Sequence, residues 1–309
     1  MKLSKQVKDI WLIPTLVLFA SQPVCADESQ NSSPKATEKN VGKALAKGVV
    51  KALEGADPFS IESGRIVFEG TVNRRKCRLS IDTGSATTLI DEAFAKDIGI
   101  GRGDRCANEF PSGVLRELTV GSTHLQHVDV QIVPSLPSET IALGMNVLRG
   151  SVIYLDFCKE KVIFSNIATA TPDSTELAMA VYKRPYISGY VGANPCQFLV
   201  DLGSPANIMS EQKLNELIVA DPKLSSDIRE TSVRRQLITL TKKIENARWF
   251  MVPVKLQEMQ LRVNMAVFQK NYGESAILGL NFFRQFRFLA LDFLSGRLIV
   301  GSKMEAPDL

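Results

Sequence analysis

The chain has 309 residues, of which 37 are Lys or Arg and 33 are Asp or Glu, and its formal net charge is +4. This length allows one large domain or two domains of ordinary size. A net charge this small is too weak for the electrostatic footprint of a nucleic-acid-binding protein, so no nucleic-acid partner is expected. Only two histidines are present, which excludes a zinc site with three His ligands. We expect no metal site, and carboxylates are the expected catalytic groups if the chain is an enzyme.

Residues 1–26 have the organisation of a secretory signal peptide. Three lysines within residues 1–9 precede an apolar run at 10–20, and Val-Cys-Ala at 24–26 stands just before Asp27. This order of basic, apolar and small residues is typical of a cleaved signal. The apolar run is shorter than the roughly 20 residues of a membrane span. We therefore expect an exported protein, periplasmic or secreted, with no permanent membrane span after cleavage; an uncleaved anchor is the alternative.

The segment 27–57 differs in texture from the rest of the chain. Residues 27–40 lack apolar periodicity and are predicted to form a flexible linker. Residues 41–55 carry Val and Leu near helical spacing, which indicates a possible short amphipathic helix, although two internal glycines weaken it. From about residue 58, short β-branched runs alternate with Gly, Asn and Pro. This pattern predicts an all-β body with a few short helices, at 91–98 and 211–218.

Two pairs of segments in the β-rich part recur in the same order. Residues 77–85 read CRLSIDTGS and residues 196–204 read CQFLVDLGS. Further along, ALGMNVL at 142–148 matches ILGLNFF at 277–283, and each is followed by Leu-Asp-Phe and a final apolar strand. Similar offsets between the recurring features indicate an internal duplication.

The duplication predicts the division of the chain into domains. A first lobe is expected at 58–168 and a second at 178–302, with an inter-lobe linker at 169–177 and a C-terminal tail at 303–309. The expected fold class is all-β, with two related lobes about a pseudo-twofold axis.

Asp-x-Gly-Ser after an apolar strand, present twice, points to a pair of carboxylates. On a pseudo-twofold axis Asp82 and Asp201 would lie side by side, where like charges cannot both ionise and one proton is shared. One carboxylate would then deprotonate a water while the other protonates a peptide carbonyl. Glycines would let the two loops approach closely, and serine hydroxyls would donate to the carboxylates. The supporting residues are Thr83, Gly84, Ser85, Gly203 and Ser204.

These motifs resemble those of a known family. The sequence Asp82-Thr83-Gly84-Ser85, the later Leu143-Gly144 and Leu278-Gly279, and the duplication resemble aspartic proteases of the pepsin and retropepsin clan. The chain looks like the exported retropepsin-like proteases of bacteria over about residues 58–302. The resemblance implies an aspartic endopeptidase with a water nucleophile, a polypeptide substrate and no cofactor. It also implies a monomer with pseudo-dimeric lobes.

The family further implies two flaps, which are hairpins that close over the substrate. By position they should fall within about 107–118, with a tip at residues 110–113, and within about 237–250, where Trp249 would flank the second.

Leu202 departs from the family pattern. Relatives usually carry Thr or Ser after the aspartate, and that hydroxyl bonds to the opposite loop, which a leucine cannot do. Half of a reciprocal brace should therefore be missing. The alternative function is a catalytically impaired peptide-binding protein or a structural protein of the envelope.

Signal cleavage would leave Cys77, Cys106, Cys158 and Cys196. An even number of cysteines in an exported chain predicts two disulfides, with three possible connectivities. We favour Cys77–Cys106, which would tie the first aspartate strand to the loop after its helix, together with Cys158–Cys196. Four unpaired buried thiols are the alternative.

Overall fold

The computed structural model describes residues 56–101, 110–134, 136–165, 173–231, 247–268 and 276–304, and the backbone alone at 11–13, 236–239 and 244–246. These residues form strands and short helices, which confirms the predicted all-β class. Among the described residues no helix is long and apolar enough to cross a membrane.

The strands of the first part of the chain, in order, are β1 (Trp11–Ile13), β2 (Asp57–Glu62), β3 (Arg65–Val72), β4 (Arg75–Ile81), β5 (Thr88–Asp91), β6 (Ser112–Val120), β7 (Thr123–Val133), β8 (Thr140–Leu143), β9 (Val152–Asp156) and β10 (Lys161–Ser165). Those of the second part are β11 (Thr175–Val181), β12 (Pro185–Val191), β13 (Asn194–Asp201), β14 (Asn207–Ser210), β15 (Arg229–Glu230), β16 (Gln236–Thr239), β17 (Ile244–Asn246), β18 (Arg248–Leu256), β19 (Met259–Phe268), β20 (Ala276–Gly279), β21 (Phe288–Asp292) and β22 (Arg297–Val300). The helices are α1 (Glu92–Asp97), α2 (Met145–Leu148), α3 (Glu211–Ala220), α4 (Leu224–Asp227) and α5 (Leu280–Phe283).

Two sets of six strands close into rings with the same order. In the first, β3, β4, β8, β5, β7 and β6 pair in succession, and β6 returns to β3. In the second, β12, β13, β20, β14, β19 and β18 pair in succession, and β18 returns to β12. Parallel and antiparallel pairings also fall at matching places. The strand leading to Asp82 and the strand ending at Asp201 therefore hold equivalent positions.

A six-stranded antiparallel sheet joins the two rings. Its order is β2, β10, β9, β21, β22, β11. At its centre Tyr154 of β9 stands opposite Ala290 of β21. The Tyr154 ring stacks on the ring of Phe288, with 5.3 Å between the ring centroids. Each half of the sheet thus consists of a hairpin from one part of the chain followed by one outer strand.

Both longer helices begin where the sequence pattern predicted a helix. Asp91 caps α1 by accepting a hydrogen bond from the Phe94 N–H, and Ser210 caps α3 by accepting one from the Lys213 N–H. A side-chain oxygen at this position satisfies an N–H that has no partner within the helix. Each helix follows directly on β5 or β14, the strand after an aspartate loop.

Several predicted segments lie wholly or partly outside the described residues. Of the predicted signal peptide only residues 11–13 are described, as a strand whose backbone pairs in parallel with β16. The possible helix at 41–55 lies outside. Of the predicted inter-lobe linker, residues 175–177 belong to β11, since Thr175 and Leu177 pair with β22. Of the predicted tail, Lys303 forms an isolated bridge with Phe286.

The predicted disulfide Cys158–Cys196 is wrong. Both residues are free thiols in the structure. Cys158 is exposed in the turn after β9, where its Sγ lies 3.7 Å from Met304 Sδ. Cys196 is buried on β13 instead. The two cysteines thus lie in different environments, one in solvent and one in the core.

The predicted disulfide Cys77–Cys106 is also wrong, because Cys77 is a free, buried thiol; Cys106 itself lies outside the described residues. Cys77 stands opposite Gly70 and Cys196 stands opposite Gly189, in equivalent hairpins. Burial raises the pKa of Cys77 to about 12 and that of Cys196 to about 11. Both thiols are therefore protonated near neutral pH and pack as small apolar side chains.

The first flap tip was predicted at residues 110–113, and the structure corrects this. Pro111 is buried, and its carbonyl accepts a hydrogen bond of 2.7 Å from the Ile132 N–H. Ser112 and Gly113 already belong to β6, so these residues enter a strand rather than form a tip. In the second predicted flap range, β16 and β17 pair as antiparallel strands, and Trp249 follows in β18 with 3% of its surface exposed.

Candidate active site

Two strands deliver the predicted carboxylates to neighbouring loops. The Asp82 N–H donates to the Leu143 carbonyl at 3.0 Å, continuing the parallel pairing of β4 with β8. Asp201 ends β13 and stands in register with Gly279 of β20. Each aspartate is therefore held by the backbone of the neighbouring strand, β8 or β20, at the Leu-Gly motif where that strand ends.

The two aspartate loops touch each other through their glycines. A Cβ added to Gly203 would lie 2.5 Å from the Asp82 Cγ, and a Cβ added to Gly84 would overlap the carboxylate of Asp201. Only a residue without a side chain fits at either place. The contact is reciprocal, because the glycine of each loop packs against the carboxylate of the other. The structure thus brings the two predicted motifs together.

The serines of the motifs act differently from the prediction. We expected their hydroxyls to donate to the carboxylates, but Ser85 Oγ donates to the Thr87 carbonyl at 2.6 Å and Ser204 Oγ donates to the Ala206 carbonyl at 2.7 Å. Each hydroxyl closes a short turn two residues on, a common local bond for serine. Backbone N–H groups bind the carboxylate instead. Asp201 Oδ1 accepts from the N–H groups of Gly203 at 2.9 Å and Ser204 at 3.1 Å.

One side chain bridges the two loops. Thr83 Oγ1 donates to the Val200 carbonyl at 2.7 Å and accepts a bond of 2.9 Å from the Leu202 N–H. Leu202, at the equivalent position, is fully buried and packs in the main apolar core. Its side chain has no hydroxyl, so it makes no return bond to the first loop. The brace is therefore one-sided, with apolar burial in place of the second pair of hydrogen bonds.

The Leu-Gly motifs pack against the backbone of the two aspartate loops. Gly144 and Gly279 lie so close to the backbone of Thr87 and Ala206 that a Cβ would clash at either position. The Met145 N–H donates to the Ser85 carbonyl at 2.9 Å. The corresponding N–H of Leu280 donates to the Ser204 carbonyl at 2.7 Å. These contacts explain why the motif recurs with the aspartates.

Burial dominates the electrostatics of the pair. Asp82 is 2% exposed and Asp201 is 4% exposed. Loss of solvation raises the pKa of Asp82 to about 8, and the negative charge of Asp201 adds to this. Loss of solvation likewise raises the pKa of Asp201 to about 6, while the N–H groups of Gly203 and Ser204 oppose the rise.

The two carboxyl groups differ in their hydrogen bonds. Asp82 Oδ1 has no hydrogen-bond partner among the described residues, whereas Asp201 Oδ1 accepts two N–H bonds. Bonds to the ionised form favour ionisation. The N–H groups of Gly84 and Ser85 likewise oppose the rise in the pKa of Asp82, which burial and the charge of Asp201 nevertheless raise to about 8, against about 6 for Asp201. When the pair holds one proton, these shifts favour Asp82 as the residue that carries it.

A charged residue that the sequence reading missed lies beside the pair. Arg65, the first residue of β3, is 3% exposed and interacts electrostatically with both Asp82 and Asp201. A repeat signal was present, because Arg65 stands 17 residues before Asp82 and Arg184 stands 17 residues before Asp201. Burial raises the pKa of Asp201, and the positive charge of Arg184 opposes that rise. An arginine at a strand start is ordinary in a sequence, and only its equal spacing from the aspartate in both repeats distinguishes Arg65.

Metal-binding residues do not gather in the described part of the chain, where no group of three or more His, Cys, Asp and Glu side chains could hold an ion. The two histidines, His124 and His127, are exposed on β7. His124 Nδ1 lies 3.1 Å from Thr119 Oγ1.

Comparison with known families finds a match over the part of the chain that contains the first aspartate loop. Residues 68–150 match the model of a family described as "gag-polyprotein putative aspartyl protease". No curated protein sequence matches the chain. The matched part holds Asp82, Thr83 and Gly84 together with the Leu143-Gly144 motif that supports them. Over this part, which is less than half of its length, the chain is similar to an aspartyl protease family.

Proposed function

We propose that the chain is an aspartic endopeptidase in which Asp82 and Asp201 form the catalytic pair. The observation that carries this proposal is the reciprocal contact of Gly84 with the Asp201 carboxylate and of Gly203 with the Asp82 carboxylate. Such contact requires the two carboxyl groups to lie in adjoining loops. The similarity of residues 68–150 to an aspartyl protease family supports a protease-type function.

The difference between the pKa values of the two carboxyl groups supports a different role for each. The ionised Asp201 takes a proton from a water molecule, whose oxygen attacks the carbonyl carbon of the scissile peptide bond. The protonated Asp82 gives its proton to the carbonyl oxygen, so the intermediate is an uncharged diol. Proton return to Asp82 re-forms the carbonyl as the C–N bond breaks, and the proton held by Asp201 goes to the leaving nitrogen. The pair then again holds one proton.

The one-sided brace favours a second candidate function. Leu202 offers no hydroxyl to the first loop, so Thr83 alone supplies side-chain hydrogen bonds between the two aspartate loops among the described residues. A loop pair held this way could retain the substrate cleft and lose the alignment that hydrolysis needs. The second candidate is therefore a peptide-binding protein without proteolytic activity.

Incubation of the purified protein with a peptide library across pH 3–8 tests the proposal. The parent should cleave internal peptide bonds, and Asp82→Asn and Asp201→Asn should each abolish cleavage. Asp129→Asn is the matched control, because Asp129 is exposed on β7. Cleavage that survives both active-site substitutions would overturn the assignment. Binding without cleavage by the parent would favour the second candidate.

We also propose that the chain works as a monomer with two lobes, 58–168 and 178–302. The equivalent strand order of the two rings supports a duplicated fold. Each lobe supplies one aspartate, so no second copy is needed. Light scattering of active protein should give the mass of one chain; activity confined to a dimer would contradict this.

Export is a further proposal, and it rests on the composition of residues 1–26. Mature protein recovered from the periplasm or medium should begin at about Asp27. An intact N-terminus in exported protein would show that the segment is an anchor.

A further inference from the structure

Arg65 is a buried cation whose donors are unsatisfied. Its Nε, Nη1 and Nη2 atoms have no hydrogen-bond partner among the described residues. A guanidinium carries five N–H donors and stays protonated at physiological pH. Burial of a charge without hydrogen bonds costs several kcal/mol, so such a group is ordinarily paired or serves a binding site. Arg65 makes no ion pair within the described chain despite its position beside two carboxyl groups.

The strand register places the Arg65 side chain on the same face as Asp82. In the β3–β4 ladder Val67 stands opposite Ser80. Two residues further along the ladder, Arg65 comes opposite Asp82. Residues that are directly opposite, or two apart on one strand, share a face of the sheet. Arg65, Ser80 and Asp82 therefore point to one side.

All three of these side chains have unsatisfied polar atoms. Besides the Arg65 nitrogens, Ser80 Oγ and Asp82 Oδ1 are buried without a hydrogen-bond partner among the described residues. Few buried polar groups in a folded protein lack a partner, and a cluster of them on one face needs an explanation. A polar ligand that inserts at this face would satisfy the cluster.

The charge at this face favours an anionic ligand. In the proposed working form Asp82, opposite Arg65, carries the proton, so this carboxyl group does not neutralise the guanidinium. The ionised residue, Asp201, belongs to the other loop. A planar guanidinium with free donors matches the two oxygens of a carboxylate, and charge-assisted hydrogen bonds are about twice as strong as neutral ones.

We propose that Arg65 is a specificity-determining residue that binds a carboxylate of the peptide substrate, from an Asp or Glu side chain next to the scissile bond. This inference rests on the proposed endopeptidase function. It predicts that the substrates are peptides with an acidic residue next to the scissile bond, on the side of that bond that binds nearer to Asp82. Arg184, the equivalent residue of the second lobe, is only half-buried, so the preference is expected on one side only.

The test compares matched peptides that carry Glu or Gln at each position around the cleaved bond, at a pH above 5.5 where free Glu is ionised. At one position kcat/KM for the Glu peptide should exceed that for the Gln peptide by about tenfold or more, the range of a hydrogen bond to a charged group. Arg65→Met should lower kcat/KM more for the Glu peptide than for the Gln peptide, so that the preference disappears. Arg65→Lys should keep part of it. Arg78→Met is the control, because Arg78 lies on β4 and pairs with Glu62 at the surface.

Three results would overturn the inference. Equal cleavage of Glu and Gln peptides at every position by the parent would do so, and this comparison requires no variant to fold. An Arg65→Met enzyme that slows both peptides equally would show a purely electrostatic or structural role. If no peptide is cleaved, the endopeptidase proposal fails separately. The carboxylate site is then tested by fluorescence anisotropy, which measures binding of the same peptides carrying a label. Tighter binding of the Glu peptide that Arg65→Met abolishes would support the carboxylate site, and equal binding would refute it.

Discussion

Thr83 and Leu202 occupy equivalent positions after the two aspartates, yet only Thr83 bonds across to the opposite loop. Its hydroxyl both donates to the Val200 carbonyl and accepts from the Leu202 N–H. The leucine side chain is fully buried in the main core instead. The duplicated site is therefore asymmetric, with a polar contact on one side and an apolar one on the other.

Replacement of this bridging threonine by valine should destabilise the protein. Thr83→Val preserves the shape of the side chain but leaves the Val200 carbonyl and the Leu202 N–H without their partner. We expect a loss of about 2–4 kcal/mol in the free energy of unfolding, because both groups are buried. Urea denaturation measures the change, with Thr123→Val on the exposed part of β7 as the control. A variant as stable as the control would show that the bridge contributes little.

Introduction of a hydroxyl at the equivalent position of the second loop should increase activity while it decreases stability. Leu202→Thr offers the first loop the bond it lacks, while it removes apolar contacts from the core at a cost of about 1–3 kcal/mol. We expect kcat to rise by about tenfold and the midpoint of unfolding to fall. Steady-state kinetics and thermal unfolding separate the two effects. A decrease of kcat in a folded variant would indicate that the asymmetric brace is the active arrangement.

The glycine contacts predict strong sensitivity to a single methyl group. Gly84→Ala would place a Cβ against the Asp201 carboxylate. The loops must then separate, and we expect kcat/KM to fall by about 100-fold, since a displacement of about 1 Å has that effect on aligned groups. Gly150→Ala is the matched control, because nothing lies within 4 Å of a Cβ there. Equal activity of the two variants would mean that the loops tolerate separation.

The raised pKa of Asp82 predicts a pH-dependent stability difference. The folded protein holds the proton up to a pKa of about 8, far above the ordinary value of 3.8. The stabilisation is complete below pH 4 and is lost as the pH rises to 8, because in this range the unfolded chain releases the proton that the folded protein retains. Asp82→Asn cannot ionise, so its stability relative to the parent should increase between pH 5 and pH 8. Chemical denaturation at both values measures this; a constant difference would contradict the assignment.

The cysteines should differ in reactivity. Cys158 is exposed, whereas burial raises the pKa of the Cys77 and Cys196 thiols. Alkylation of the native protein at pH 8, followed by peptide mapping, should label Cys158 and leave both buried thiols unmodified until denaturation. Rapid labelling of Cys77 in folded protein would show that its strand opens readily.

The sequence was sufficient for the strands, the all-β class and the pairing of the two aspartate motifs, because apolar alternation and a repeated motif are local signals. The roles of Ser85 and Ser204 were predicted incorrectly, since the choice between a carboxylate and a nearby carbonyl depends on loop geometry. Arg65 was missed because its importance depends on the β3–β4 register, which aligns it with Asp82. The prediction of a Cys158–Cys196 disulfide was wrong for a similar reason, since an even number of cysteines says nothing about the distances between them.

If Asp82 and Asp201 act as a coupled pair, the pH dependence of kcat/KM for a cleaved peptide should report the titration of the pair. Loss of solvation raises the pKa of Asp201 to about 6 and the pKa of Asp82 to about 8. The singly protonated pair therefore predominates between these values, which belong to the pair as a unit. A coupled pair should give a bell-shaped profile with its maximum between about pH 6 and about pH 8, and Asp82→Asn should lack this profile. A profile with a single limb, or cleavage retained by Asp82→Asn, would contradict it.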